Sequence, residues 1–89
     1  MPTPKFTKRF RKDAELAKRR GKSTDKLQNV LEALCAGGTL DPRYRDHPLI
    51  GNFVGRRECH LEPDWLLVYK IVDDEIVFER TGTHADLFD

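Results

Sequence analysis

Three histidines, His47, His60 and His84, all fall in the second half of an 89-residue chain, and Asp64 and Trp65 follow His60 by four and five residues. Arg56, Arg57 and Arg80 lie in the same half. An imidazole titrates near neutral pH and can take or give a proton there. Histidines, a carboxylate and arginines together supply what cleavage of a phosphodiester by its own 2′-hydroxyl requires. A base removes the hydroxyl proton, a cation stabilises the crowded phosphate, and an acid protonates the leaving oxygen. Composition does not establish such a site, because a single histidine is most often structural or merely exposed. Convergence of the three with Asp64 and arginine would.

The same residues admit other readings. His47, His60, Asp64 and His84 could supply three or four ligands to zinc. Against that, the His60-x-x-x-Asp64 spacing runs through Pro63, so the pair cannot share a regular helix as zincin ligands do. No cysteine lies nearby at ligand spacing. Trp65 opens an apolar stretch and is either core or a platform on which a base stacks. Phe88 carries the same ambiguity, although an aromatic at the chain's end is less easily explained as core. Cys35 and Cys59 form no C-x-x-C pair and read as buried, reduced thiols.

These residues need a scaffold. Phe6, Phe10, Ala14 and Ala17 recur at helical spacing through Arg20, and Gly21 stops the run. Ser23, Thr24 or Asp25 caps a second helix with Leu27, Val30, Leu31, Leu34 and Cys35 on its apolar face, ended by Gly37-Gly38. So short a link predicts an antiparallel helix pair. From Thr39 to Gly55 the turn signals Asp41-Pro42, His47-Pro48 and Gly51-Asn52 mark a long loop, anchored by Leu40, Tyr44, Leu49, Ile50 and Phe53. Strands are expected over Arg57–Leu61, Trp65–Val72 and Glu75–Thr81, with turns at Glu62-Pro63-Asp64 and Asp73-Asp74. Gly82 permits a bend, and Leu87-Phe88 anchors the tail. The sum is an α+β fold: two helices packed on one face of a small twisted antiparallel sheet.

Length and charge set the outer limits. Residues 1–89 suffice for one small domain, with no room for separate cofactor and substrate domains. No apolar run approaches the ~18 residues of a membrane span, and the start lacks the apolar core of a signal peptide. A cytoplasmic location with no membrane partner is therefore expected. The net charge of +1 hides a gradient. Residues 1–22 hold nine Lys/Arg against two acids, a net of +7, whereas residues 58–89 hold two against nine, a net of −7. Such asymmetry hints at a polyanion partner, although a solvated helix face accounts for it as well.

Three blocks carry a resemblance over nearly the whole chain. They are Asp46-His47-Pro48-Leu49, then Gly55-x-Arg57-x-x-His60-x-Glu62-Pro63-Asp64-Trp65-x-Leu67-x-Tyr69-Lys70, and Phe78-Glu79-Arg80-Thr81-Gly82-Thr83-His84-x-x-Leu87-Phe88. In this order they resemble the YafQ branch of the RelE/ParE toxin superfamily, with modest departures at Val54 and Cys59. The resemblance implies a RelE-like microbial ribonuclease fold and a short N-terminal strand at Thr3–Phe6, which Pro2 and Pro4 confine to a sheet edge. It implies the toxin of a type II toxin–antitoxin pair: a ribosome-dependent mRNA interferase that cuts in the A site without metal or small-molecule cofactor. The partners it implies are a cognate antitoxin, the ribosome with its rRNA, and mRNA.

Carried over by position, the catalytic set falls on His47, His60, Asp64 and His84, with Arg80 at the scissile phosphate. Trp65, Phe88 and Arg57 fall on the substrate side. Asp64 or His60 is expected as base and His84 as acid. The alternative from another class is a non-catalytic inhibitor like the ParE members, which act by protein contact and lack this histidine set.

Overall fold

The structure, a computed structural model, describes residues 2–37, 40–51 and 54–88. The expected helix stop at Gly38, the turn residue Asn52 and the loop anchor Phe53 lie outside the described residues, as does Thr39, where that loop begins.

The chain runs β1 (Thr3–Phe6), α1 (Lys8–Arg19), α2 (Thr24–Cys35), a 3-10 turn (Pro42–Tyr44), β2 (His47–Pro48), β3 (Arg57–Glu62), β4 (Trp65–Val72), β5 (Glu75–Gly82) and α3 (His84–Phe88). Five strands form one sheet in the order β1-β5-β4-β3-β2. The sheet is mixed rather than wholly antiparallel, because β1 runs parallel to β5 on its outer edge. Phe6 therefore belongs to β1 and not to the first helix. Pro4 favours extended backbone before it, and Thr7 starts the helix by accepting the Phe10 N–H at 3.0 Å. The Thr7 hydroxyl also donates to the Glu79 carbonyl at 2.8 Å, tying that start to β5.

Helix α1 ends in a Schellman motif, with Gly21 at φ 84° and the Lys22 N–H reaching the Ala17 carbonyl at 3.0 Å. Ser23 then caps α2 through the Lys26 N–H at 3.2 Å. Phe10 and Ala17 of α1 and Leu27, Val30, Leu31 and Leu34 of α2 are buried against Cys59, Leu61, Leu67, Tyr69, Ile76 and Phe78. Both helices thus cover one face. Burial pushes the Cys59 thiol up to about 12 and raises Cys35 as well, so neither is a ready thiolate.

Beyond Phe78, β1 no longer covers the edge of β5. There Asp13 of α1 accepts the Thr81 N–H at 3.2 Å, standing in for a missing strand. The charge gradient also closes on itself: Lys5–Glu75, Arg20–Asp86, Lys22–Glu62 and Lys26–Glu62 pair basic residues of the first third with acids of the last.

Candidate active site

Strand alternation decides which residues meet. On β3, Cys59 and Leu61 point into the helix-covered core, so Glu58 and His60 project from the opposite face. The two-residue strand β2 places His47 directly across from Glu58. A register shift between His60 and Glu62, followed by a tight turn, brings Asp64 up beside that face.

The third histidine arrives on α3, a short helix that the spacing of Leu87 and Phe88 does not disclose. Its start is a capping box: the Asp86 N–H donates to Thr83 Oγ1 and the Thr83 N–H donates to Asp86 Oδ2, both at 3.0 Å. Asp86 is further held by Arg20 at 2.7 Å, and these partners pull its carboxyl down to about 2. Gly82 is required beneath it, since a Cβ there would stand 2.9 Å from Asp86 Oδ2.

The outcome is a row of three imidazoles. His60 stands in the middle, with ring centroids 6.1 Å from His47 and 5.9 Å from His84. Glu58 lies beneath the row, its side chain 8% exposed, with Oε1 3.3 Å from His47 Nε2 and 3.8 Å from His60 Nε2. At the other end, Asp64 Oδ1 accepts both the backbone N–H and ring Nδ1 of His84, at 2.9 and 2.6 Å. A carboxylate on Nδ1 keeps the proton there and turns Nε2 outward. Those two hydrogen bonds hold the Asp64 carboxyl below its ordinary range. His60 is shifted down, mainly by burial and despite Glu58, so it is neutral at pH 7. Its Nδ1 is buried with no hydrogen-bond partner among the described residues.

Arg80 of β5 pairs with Val68, which in turn pairs with Glu58, so Arg80 stands on the sheet face of the row, two strands over. Its Nε and one terminal nitrogen grip Asp13 at 2.6 and 3.3 Å, which orients the guanidinium. Together with Arg56 and Phe88 it lines a cleft of about 420 Å³ between α1 and α3. Arg56 is itself paired with Glu79.

Two expected substrate residues are elsewhere. Arg57 alternates onto the helix side, where it bonds Asp46 at 3.2 Å beside Tyr69. Trp65 also faces the core, 2% exposed, and donates its indole N–H to Thr81 Oγ1 at 2.9 Å. Trp65 therefore offers no face to a base in this fold, whereas Arg57 keeps 38% of its side chain exposed on the face away from His60. Conversely, Glu58 belongs to the site, and its two-residue offset from His60 on a strand is the signal that places it there.

Among the described residues, the donors that could hold a metal differ from the four residues the sequence offered. His47, Glu58 and His60 bring donor atoms within 4.8 Å of one another, and neither Asp64 nor His84 belongs to that group.

Residues 2–89 match the model of the bacterial toxin of type II toxin–antitoxin systems, YafQ. The chain belongs to the YafQ toxin family. It is 44% identical over 84 residues to the mRNA interferase toxin YafQ of Escherichia coli K12, covering 93% of this chain and 91% of that one. The crystal structure of YafQ from E. coli BL21(DE3) superposes with a TM-score of 0.95 at 40% identity over all of both chains. YafQ in the E. coli DinJ–YafQ complex gives 0.93 at 41%, again over all of both. A metal-bound toxin from Helicobacter pylori gives 0.92 at 39%, over 99% of this chain and 100% of that one. The RelE-like fold and the toxin identity expected from the sequence blocks both hold.

Proposed function

We propose that this YafQ-family toxin is a ribosome-dependent mRNA interferase that cuts mRNA in the A site by general acid–base catalysis. The observation that carries this reading is the imidazole row with His84 Nε2 turned outward by Asp64. His60, neutral at pH 7, removes the 2′-hydroxyl proton. In its doubly protonated form, with Nδ1–H kept on Asp64, His84 gives its Nε2 proton to the leaving oxygen. Asp64 is spoken for by His84, which makes it an orienting carboxylate and leaves the base to His60. His47 and Glu58 set the far end of the row, and Arg80, steadied by Asp13, faces the phosphate charge. Phe88 borders the same cleft as Arg80.

The ribosome supplies what so small a domain lacks, a rigid frame for the RNA strand. Lys8, Arg9, Arg11, Lys12, Lys18 and Arg19 are exposed on α1 with no carboxylate partner among the described residues. They give rRNA a basic face whose binding weakens with salt. A cognate antitoxin silences the toxin, as the DinJ–YafQ complex of E. coli suggests by analogy, and the setting is the cytoplasm. No helix among the described residues is long and apolar enough to cross a membrane.

A second reading rests on His47, Glu58 and His60, whose donors suit a divalent transition metal. Cleavage on programmed ribosomes, with and without prior chelation, separates the two. Acid–base catalysis predicts full cleavage after chelation and loss of it in His84→Ala. Loss on chelation, with recovery on metal addition, would establish the metal reading. Intact mRNA with damaged DNA would favour the non-catalytic ParE-like mode.

A further inference from the structure

Next to the imidazole row is a second cleft, of about 390 Å³, that none of the steps above uses. His60 forms one wall, and Lys26 of α2, the segment Arg43, Tyr44 and Arg45, and Glu62 form the others. Three cations thus face one carboxylate, and Glu62 is already taken by Lys22 and Lys26 at 2.8 and 3.2 Å. Arg43 lies over the Tyr44 ring, 4.9 Å from its centroid, and donates to its hydroxyl at 3.1 Å. The pair makes a cationic shelf of one guanidinium and one aromatic ring. Arg45 is held in the left-handed region at φ 50°, where long side chains seldom sit, closing the 3-10 turn through a 3.0 Å bond to the Pro42 carbonyl. It engages no carboxylate among the described residues, and its charge is close enough to His60 to depress that imidazole.

Bases stack on guanidinium and aromatic planes, and arginine takes phosphate. We propose that this cleft is a nucleotide subsite: it holds the nucleotide adjoining the scissile phosphate, with the base on the Arg43–Tyr44 shelf and the phosphate against Arg45. The inference rests on the RNA-cleaving reading and extends it to the path of the strand. His60, shared by the cleft and the row, is the point where the two adjoin.

The test uses ribosomes programmed with short mRNAs carrying an abasic nucleotide on one side of the cut or the other. Wild type, Arg43→Ala and Arg45→Gly are compared in single-turnover cleavage. Glycine at position 45 keeps the left-handed backbone and removes only the side chain. On one side of the cut, loss of the base slows wild type about fivefold or more, and slows Arg43→Ala less than about twofold. Arg45→Gly slows every substrate alike. Equal abasic penalties in wild type and Arg43→Ala on both sides would overturn the subsite. So would an Arg43→Ala protein altered only in its capture by antitoxin. Failure of wild type to cut the unmodified mRNA would instead bring down the RNA-cleaving reading beneath it.

Discussion

Replacing Trp65 with Phe separates the core role of this residue from a stacking role. The indole is 2% exposed, donates to Thr81 Oγ1 at 2.9 Å, and Thr81 passes the bond on to the Leu66 carbonyl at 2.7 Å. Phe removes the donor, at about 1 kcal/mol for a buried hydrogen bond. Shrinking the ring leaves a void in a close-packed core and costs about 1–2 kcal/mol more. The total of about 2–3 kcal/mol corresponds to a melting temperature lower by about 10–20 °C in a domain of this size. Thermal and urea denaturation followed by circular dichroism measure it, with cleavage assayed at a temperature where both proteins are folded. Cleavage per folded molecule stays close to wild type. An unchanged melting temperature with abolished cleavage would refute the core assignment and put the indole on the RNA.

Other outcomes follow from the same geometry. Gly82→Ala forces a Cβ to 2.9 Å from Asp86 Oδ2, so α3 shifts at a cost of about 1–3 kcal/mol and His84 leaves the row. Cleavage assays should show a larger loss than the melting curve explains, and retention of activity would contradict the role of α3. His60 is shifted down in the folded state, so the unfolded chain binds its proton first as pH falls. Its contribution to stability is therefore complete above about pH 6.5 and is lost as pH drops through the lower folded value. In His60→Gln, denaturation midpoints should lose that part of the pH dependence. Asp86 sits at about 2 chiefly because of Arg20, so in Arg20→Ala an NMR titration should find its carboxyl moved up toward the ordinary 3.8. A carboxyl unmoved by that substitution would show that the Thr83 cap alone holds it.

Local patterns made much of the fold legible. Helical spacing and the Ser23 and Gly21 signals placed α1 and α2, and the apolar run Trp65–Val72 with its Asp73-Asp74 turn placed the central hairpin. Pairings distant in sequence were not legible. The direction of β1 depends on β5, some 72 residues away, and Arg80 finds Asp13 across 67. Helix α3 is too short for periodicity, and only its Thr83-x-x-Asp86 box marks it. The histidines were recognisable as candidates by type, but their convergence depends on β2 crossing to Glu58 and on α3 folding back through Asp64. Strand alternation puts Glu58 on the face of His60 and Arg57 on the other, since neighbours on a strand face opposite ways.

The central claim is that His84, held by Asp64, delivers a proton as mRNA is cut. Mapping mRNA 5′ ends after brief induction of wild type and of His84→Ala tests it most directly. The account predicts new in-frame 5′ ends within translated codons for wild type and none for His84→Ala, with both proteins equally folded. The same ends at the same frequency in His84→Ala would contradict it.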